Sequence, residues 1–135
     1  MNSSMFRSFY STLLLAGWNL ETDEVGVILV GAGYKPDLLC HTRRSDIVGE
    51  LAIGGGYDGA VKTTVEMNHT DQGVELKFGG GRWVTSSIAP AGAIYFRDSG
   101  EDASQDQLLC WHSFGKTFAC TNGTFVLAAT VFEFK

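Results

Sequence analysis

GVILVGAG, running from Gly26 to Gly33, decides how this chain is read. An apolar run that ends in closely spaced glycines fits two structures. One is the first strand and phosphate-binding turn of a dinucleotide fold; the other is a buried strand closed by a tight turn. The first needs G-x-G-x-x-G with a helix opening directly from the turn. Gly31 and Gly33 are present, but the third position is Pro36, inside Tyr34-Lys35-Pro36-Asp37. Proline keeps Lys35 out of the helical region and itself fits only the first turn of a helix. The DLLCHTRRSDIVGE that follows lacks the sustained apolar spacing of a helix. Glu50 sits near the offset of a ribose-binding acid, but it stands without the rest of the fingerprint. The stretch therefore reads as a structural strand from Glu24 to Gly31, buried on both faces.

On the N-terminal side the period is different. Met5, Phe6, Phe9, Tyr10, Leu13 and Leu14 recur at helical intervals, which predicts an amphipathic helix over residues 4–16 within a segment spanning 1–20. Ser3 or Ser4 caps its start, and Gly17 supplies a left-handed stop. So apolar a stripe must dock on the chain's own sheet or on a neighbour. Phe6, Phe9, Tyr10 and Leu13 are therefore the candidate partner-interface residues.

On the C-terminal side, apolar residues alternate or come in short runs. Leu38 to His41 begins a second extended stretch. Val61, Thr63, Val65 and Met67 alternate with polar neighbours, and Val74, Leu76 and Phe78 answer them across a His69–Gly73 turn as a hairpin partner. Trp83–Ile88 and Ala91–Arg97 are further strands, with Ile94 and Phe96 facing away from Tyr95. Leu108–Phe114 and Thr124–Phe134 complete the set, joined through Asn122-Gly123. Seven or eight short strands at roughly ten-residue spacing predict an all-β, single-domain β-sandwich of jelly-roll type over residues 1–135, carrying the one N-terminal helix.

Composition narrows the function. The 135 residues are 44% hydrophobic and 19% charged, enough for a core of their own. Ten basic and fifteen acidic residues give a net charge of −5, and Arg43-Arg44 is the only adjacent basic pair. A phosphate-tracking groove needs a clustered positive field, so nucleic acid is not expected as a direct partner. The N-terminal MNSSMFRSFYSTLLLAG has neither the long apolar core of a membrane span nor the layout of a secretory signal. Reduced cysteines and unused sequons at Asn2, Asn68 and Asn122 follow, with assembly in a cytoplasm.

No constellation for catalysis or cofactor binding emerges. Cys40, Cys110 and Cys120 are odd in number and lack paired zinc spacing. Cys40 and His41 would point to opposite faces of a strand, whereas Cys110 and His112 share one. His112 and Ser113 are adjacent and so diverge, and there is no G-x-S-x-G or H-E-x-x-H. The acids Glu21, Asp23 and Glu24, and Glu101, Asp102 and Asp106, fall in loops as solvated charges without calcium-loop register. The expectation is a non-enzymatic protein with no catalytic residues, no metal and no cofactor.

The order of the elements resembles a family of small tailed-phage virion proteins. Members open with an amphipathic helix, then a "dl-x-x-D-x-i-x-v-a-L" strand and a "gYtpd…H-x-x-x-s-D" segment. Here those positions are Leu20, Asp23, Val25, Val27, Leu29, Tyr34, Pro36, Asp37, His41 and Asp46. A "G-x-G-Y-x-x-G-g" run is matched by Gly55, Gly56, Tyr57, Gly59 and Ala60, and a tryptophan-led stretch by Trp83, Ser86, Ser87, Ile88, Ala89, Ala93, Ile94, Tyr95 and Asp98. Leu108, Leu109, Phe114, Gly115, Gly123, Thr124, Phe125 and Leu127 match the closing motif. The cysteines, and His112 near a position that is often acidic, depart from the pattern.

The resemblance implies a capsid decoration or cement protein. Such a protein sits on the capsid surface of a virion assembled in the host cytoplasm, binding the major capsid protein and itself as a dimer or trimer, with no membrane involved. Neck, tail or head-fibre membership is the alternative within the virion. Outside it, a carbohydrate-binding jelly roll would use exposed aromatics such as Trp83 or Trp111.

Overall fold

The computed structural model describes residues 2–7, 9, 24–100 and 102–134. Among these the chain is built from antiparallel strands in three sheets. The strands are β1 (Asn2–Met5), β2 (Glu24–Val30), β3 (Val61–Thr63), β4 (Val65–Thr70), β5 (Gly73–Phe78), β6 (Gly81–Ile88), β7 (Gly92–Asp98), β8 (Gln107–Ser113), β9 (Cys120–Leu127) and β10 (Thr130–Phe134). A five-stranded sheet has the order β1-β8-β7-β2-β3; β10-β5-β4 form a second sheet and β6-β9 a third.

β2 lies inside the largest sheet, between β7 and β3, and six of its seven residues are buried. Its alternation serves two cores. Val25, Val27 and Leu29 point into a central core with Phe78, Trp83, Tyr95 and Leu127, which come from all three sheets. Ile28 and Val30 point the other way, into a second core with Phe6, Tyr34, Ile94, Phe96 and Leu108. Two covered faces are what a run without polar alternation requires. At Gly26 the Phe96 ring takes the side-chain space, since a Cβ there would stand 2.5 Å from its Cζ.

β8 fits three successive fully buried residues, Leu108, Leu109 and Cys110, by a bulge. Phe96 pairs with Leu108 but Tyr95 pairs with Cys110, so Leu109 is the extra residue. Leu109 and Cys110 then share the central core, while Leu108 faces the second.

The turn after β2 is structural. Tyr34 N–H donates to the Gly31 carbonyl at 3.2 Å, and Gly31 N–H to that of Gly49 at 2.9 Å. Tyr34 folds back to meet Trp111 edge-on at 5.0 Å. No α-helix opens from this turn. Asp37 Oδ1 instead accepts the N–H groups of Leu39 and Cys40, so Leu38–His41 is a turn and not the expected extended stretch.

Three further expectations are corrected. Ser4 and Met5, expected to start a helix, belong to β1, which pairs with β8 through Ser4–Trp111 and Met5–Cys110. The open edge of β8 offers backbone partners that a helix start could not use, and Phe6 N–H extends the pairing to the Leu109 carbonyl at 3.0 Å. After β1, the described residues Arg7 and Phe9 are helical. The rest of the expected helix, Tyr10 and Leu13 included, lies outside the described residues. The alternating run from Val61 breaks at Thr64, sending β3 to β2 and β4 to β5. Finally, Asn122-Gly123 is no turn between strands: it lies within β9, where Asn122 takes a φ of +48° and the register with β6 shifts. Residues 114–119 join β8 to β9 instead, and the chain breaks again at Ala128-Ala129 between β9 and β10.

Candidate functional site

Two surface hollows and one buried polar cluster bring chemistry-bearing side chains together. The larger hollow, about 530 Å³, lies at the end of the five-stranded sheet where Glu24 of β2 pairs with Asp98 of β7. Arg43, Arg97 and Gln107 complete its polar wall. Its anchor is Asp106, only 1% exposed, which accepts Arg44 Nη1 at 3.2 Å, Ser99 N–H at 2.9 Å and Ser99 Oγ at 2.7 Å. The Arg44 guanidinium also lies 4.7 Å from the centre of the Phe96 ring. Asp106, expected among the solvated loop acids, instead ties two loops together. The wall carries both signs of charge, which suits a polar partner rather than an anion.

The second hollow, about 260 Å³, is apolar. Phe114 forms its floor, with Phe118 and Phe125 each 5.9 Å away between ring centres. Lys116 caps Phe118 at 4.9 Å, and Val126 stands 64% exposed at the rim. His112 lines one side, its pKa lowered first by burial, so it is neutral at pH 7. Such a hollow takes an apolar side chain. The alternating aromatics of this region read in sequence as core alone; the spacing of Phe114, Phe118 and Phe125 was the available signal.

Tyr57 is the centre of the buried polar cluster. A tight turn, with reciprocal Gly54–Tyr57 backbone hydrogen bonds of 2.9 and 3.0 Å, drops the ring into the central core. Its hydroxyl donates to Glu50 Oε2 at 2.6 Å and accepts Leu29 N–H at 3.3 Å. Burial and the Glu50 carboxylate raise its pKa far above the ordinary tyrosine value. Glu50 thus has a partner within the fold.

The two sequence-derived interface residues among those described do not reach an open surface. Phe6 and Phe9 are fully buried, Phe6 in the second core and Phe9 in the central one. Tyr10 and Leu13 lie outside the described residues. Trp83 is 3% exposed and stacks between Tyr57 and Phe125, while Trp111 is half-buried against Tyr34. Neither presents an open ring to a sugar. Cys110 is buried, Cys120 half-buried and Cys40 exposed, so packing accounts for the first two and not for Cys40. Among the described residues no His, Cys, Asp and Glu side chains gather as a metal cluster, and no helix is long and apolar enough to cross a membrane.

No protein-family model matches the chain, and no curated protein or solved structure matches it significantly.

Proposed function

We propose that this chain is a non-enzymatic structural protein of a tailed-phage virion, acting as a decoration or cement protein that binds the major capsid shell. The observation that carries the reading is the ordered set of positions from Leu20 to Leu127 that resembles that family. Many of these residues are the ones the fold depends on. Leu29, Tyr57, Trp83, Tyr95 and Leu127 meet in one core, and Tyr34 seals the other. A pattern spread over a whole fold is more specific than any one of its strand-and-turn motifs. On this reading the sheets are the layers of a jelly-roll-like sandwich.

The surface supports a binding role. A cement protein needs a rigid body and a small apolar anchor site framed by polar groups. The Phe114 hollow supplies the anchor site, for an apolar side chain of the shell subunit, and the Arg43–Arg97 cleft adds polar contacts.

Quantitative mass spectrometry of purified virions tests the proposal. Copies in the hundreds, lost in proportion to accessible shell area, are expected. Copies at the level of a single ring of subunits would move the chain to the neck or tail. Its absence from virions would overturn the reading.

A further inference from the structure

β4 is an open sheet edge with an ordered set of unused backbone groups, and its phase can be read from two observations. The hairpin turns on Asp71-Gln72 between the paired residues Thr70 and Gly73, and at its far end Gly79 N–H donates to the Thr64 carbonyl at 2.7 Å. Hydrogen-bonded pairs alternate along an antiparallel ladder. Thr64, Glu66, Asn68 and Thr70 therefore bond to β5, while Val65, Met67 and His69 aim their N–H and C=O groups outward.

Nothing described lies beyond that edge. β4 borders only β5, every residue from Glu66 to Gln72 is exposed, and Met67 is 49% exposed. Several of the usual protections of an edge are missing too. β4 has no proline or lysine, and its register with β5 runs without a bulge. The other described edges differ: β3 has three residues, β1 four and β10 five, and the β6–β9 pair is broken by register shifts.

We propose that β4 is a self-association edge, pairing antiparallel with β4 of a second copy about a two-fold axis at Met67. A two-fold axis perpendicular to a sheet keeps each face on its own side, so paired residues must share a face. Centring on Met67 meets this condition and engages every outward group. Met67 faces the second copy's Met67, and Val65 faces its His69 in both directions, each as a doubly hydrogen-bonded pair. Glu66 falls opposite the second copy's Asn68, so no like charges oppose. The two Met67 side chains meet on the core-facing side of the sheet and cover each other. Centring on Asn68 would leave Val65 opposite the turn residue Asp71 and use fewer outward groups. The pairing needs only a second copy of the chain, so it holds whether or not the chain is a virion component.

Analytical ultracentrifugation over a dilution series, with the full chain and with Met67→Lys and Met67→Pro, tests this. Wild type is expected to be a dimer that tightens with salt, because each copy carries a net charge of −5. Lysine sets two charges face to face; proline removes an outward N–H without touching the β4–β5 ladder. Each is expected to weaken the dimer about tenfold or more while circular dichroism stays unchanged. Should either variant fail to fold, amide exchange in the wild type decides: Val65, Met67 and His69 must be protected in the dimer and lose protection on dilution. A monomer, a trimer, an undiminished variant dimer or concentration-independent protection each overturns the pairing. None of these results bears on whether the chain is present in virions.

Discussion

Asp106 holds Arg44 across the open end of the five-stranded sheet, Oδ2 to Nη1 at 3.2 Å, although 62 residues separate them in the chain. The carboxylate is almost fully buried and also receives two donors from Ser99, so its charge is neutralised from both sides. Removing one member of such a set leaves the others unsatisfied in a poorly hydrated place. Asp106→Ala is expected to cost about 2–4 kcal/mol, and Asp106→Asn somewhat less. Urea unfolding monitored by tryptophan fluorescence measures it, as a lower midpoint at unchanged slope.

Phe6 and Phe9 lie three positions apart yet fill different cores, on opposite sides of one sheet. Phe6→Ala and Phe9→Ala should each cost about 3–5 kcal/mol. The double variant should equal the sum of the two within about 0.5 kcal/mol, because the sites share no cavity. Two residues on one helical stripe would instead couple. Val48→Ala, at a position 81% exposed, is the control, expected within about 0.5 kcal/mol of wild type.

The three thiols should separate by reactivity. Cys40 is exposed in the turn after Asp37 and should be the first of the three to react with a disulfide reagent. Cys110 is buried, and desolvation pushes its pKa well above the ordinary value, so it should react only as the protein unfolds. Cys120, half-buried with its sulfur 3.5 Å from the Ser86 carbonyl, should fall between them. A Cys110 that reacts under native conditions would contradict its place in the core.

Alkaline pH should unfold the domain through its buried tyrosines. Burial is the first cause pushing Tyr95 up to about 12, and Tyr57 is raised further by burial and Glu50. The folded state thus holds these protons more tightly than the unfolded chain, whose tyrosines ionise near 10.0. The stabilisation is complete below pH 10.0 and is lost as pH rises through about 12. Phenolate absorbance and circular dichroism, recorded together, should then change in one step for these residues. Ionisation of Tyr95 in a chain that keeps its strand signal would argue against the burial described.

Much of the fold is legible in the sequence wherever local pattern and tertiary environment agree. Glu24–Val30 reads as a twice-buried strand because no polar residue interrupts it, and the β4–β5 hairpin reads from strict alternation around a polar turn. Reading fails where distant partners decide. Ser4 and Met5 carry a helical pattern, but β8 supplies an edge that recruits them. Thr64 gives no local sign that the chain changes sheets there; its carbonyl accepts Gly79 N–H, and the Thr63 hydroxyl donates to the Gly80 carbonyl, both from the segment that follows β5. The sites were less legible than the fold. Asp106 looks like any loop acid until Arg44 and Ser99 are brought to it, and the hollow at Phe114 forms only where β8 meets β9.

The pairing of β1 with β8 also sets an order of events during synthesis. Asn2 and Ser113 are partners, so β1 must wait until β8 has left the ribosome. Until then Met5 and Phe6 have no completed core to enter, and the outer edge of β8 does not yet exist. The β4–β5 hairpin joins near neighbours and can form early, whereas the pairing of β1 with β8 joins strands far apart in the chain. Closure at β1 is thus a late step, and a nascent chain stalled before β8 would present Met5 and Phe6 to chaperones.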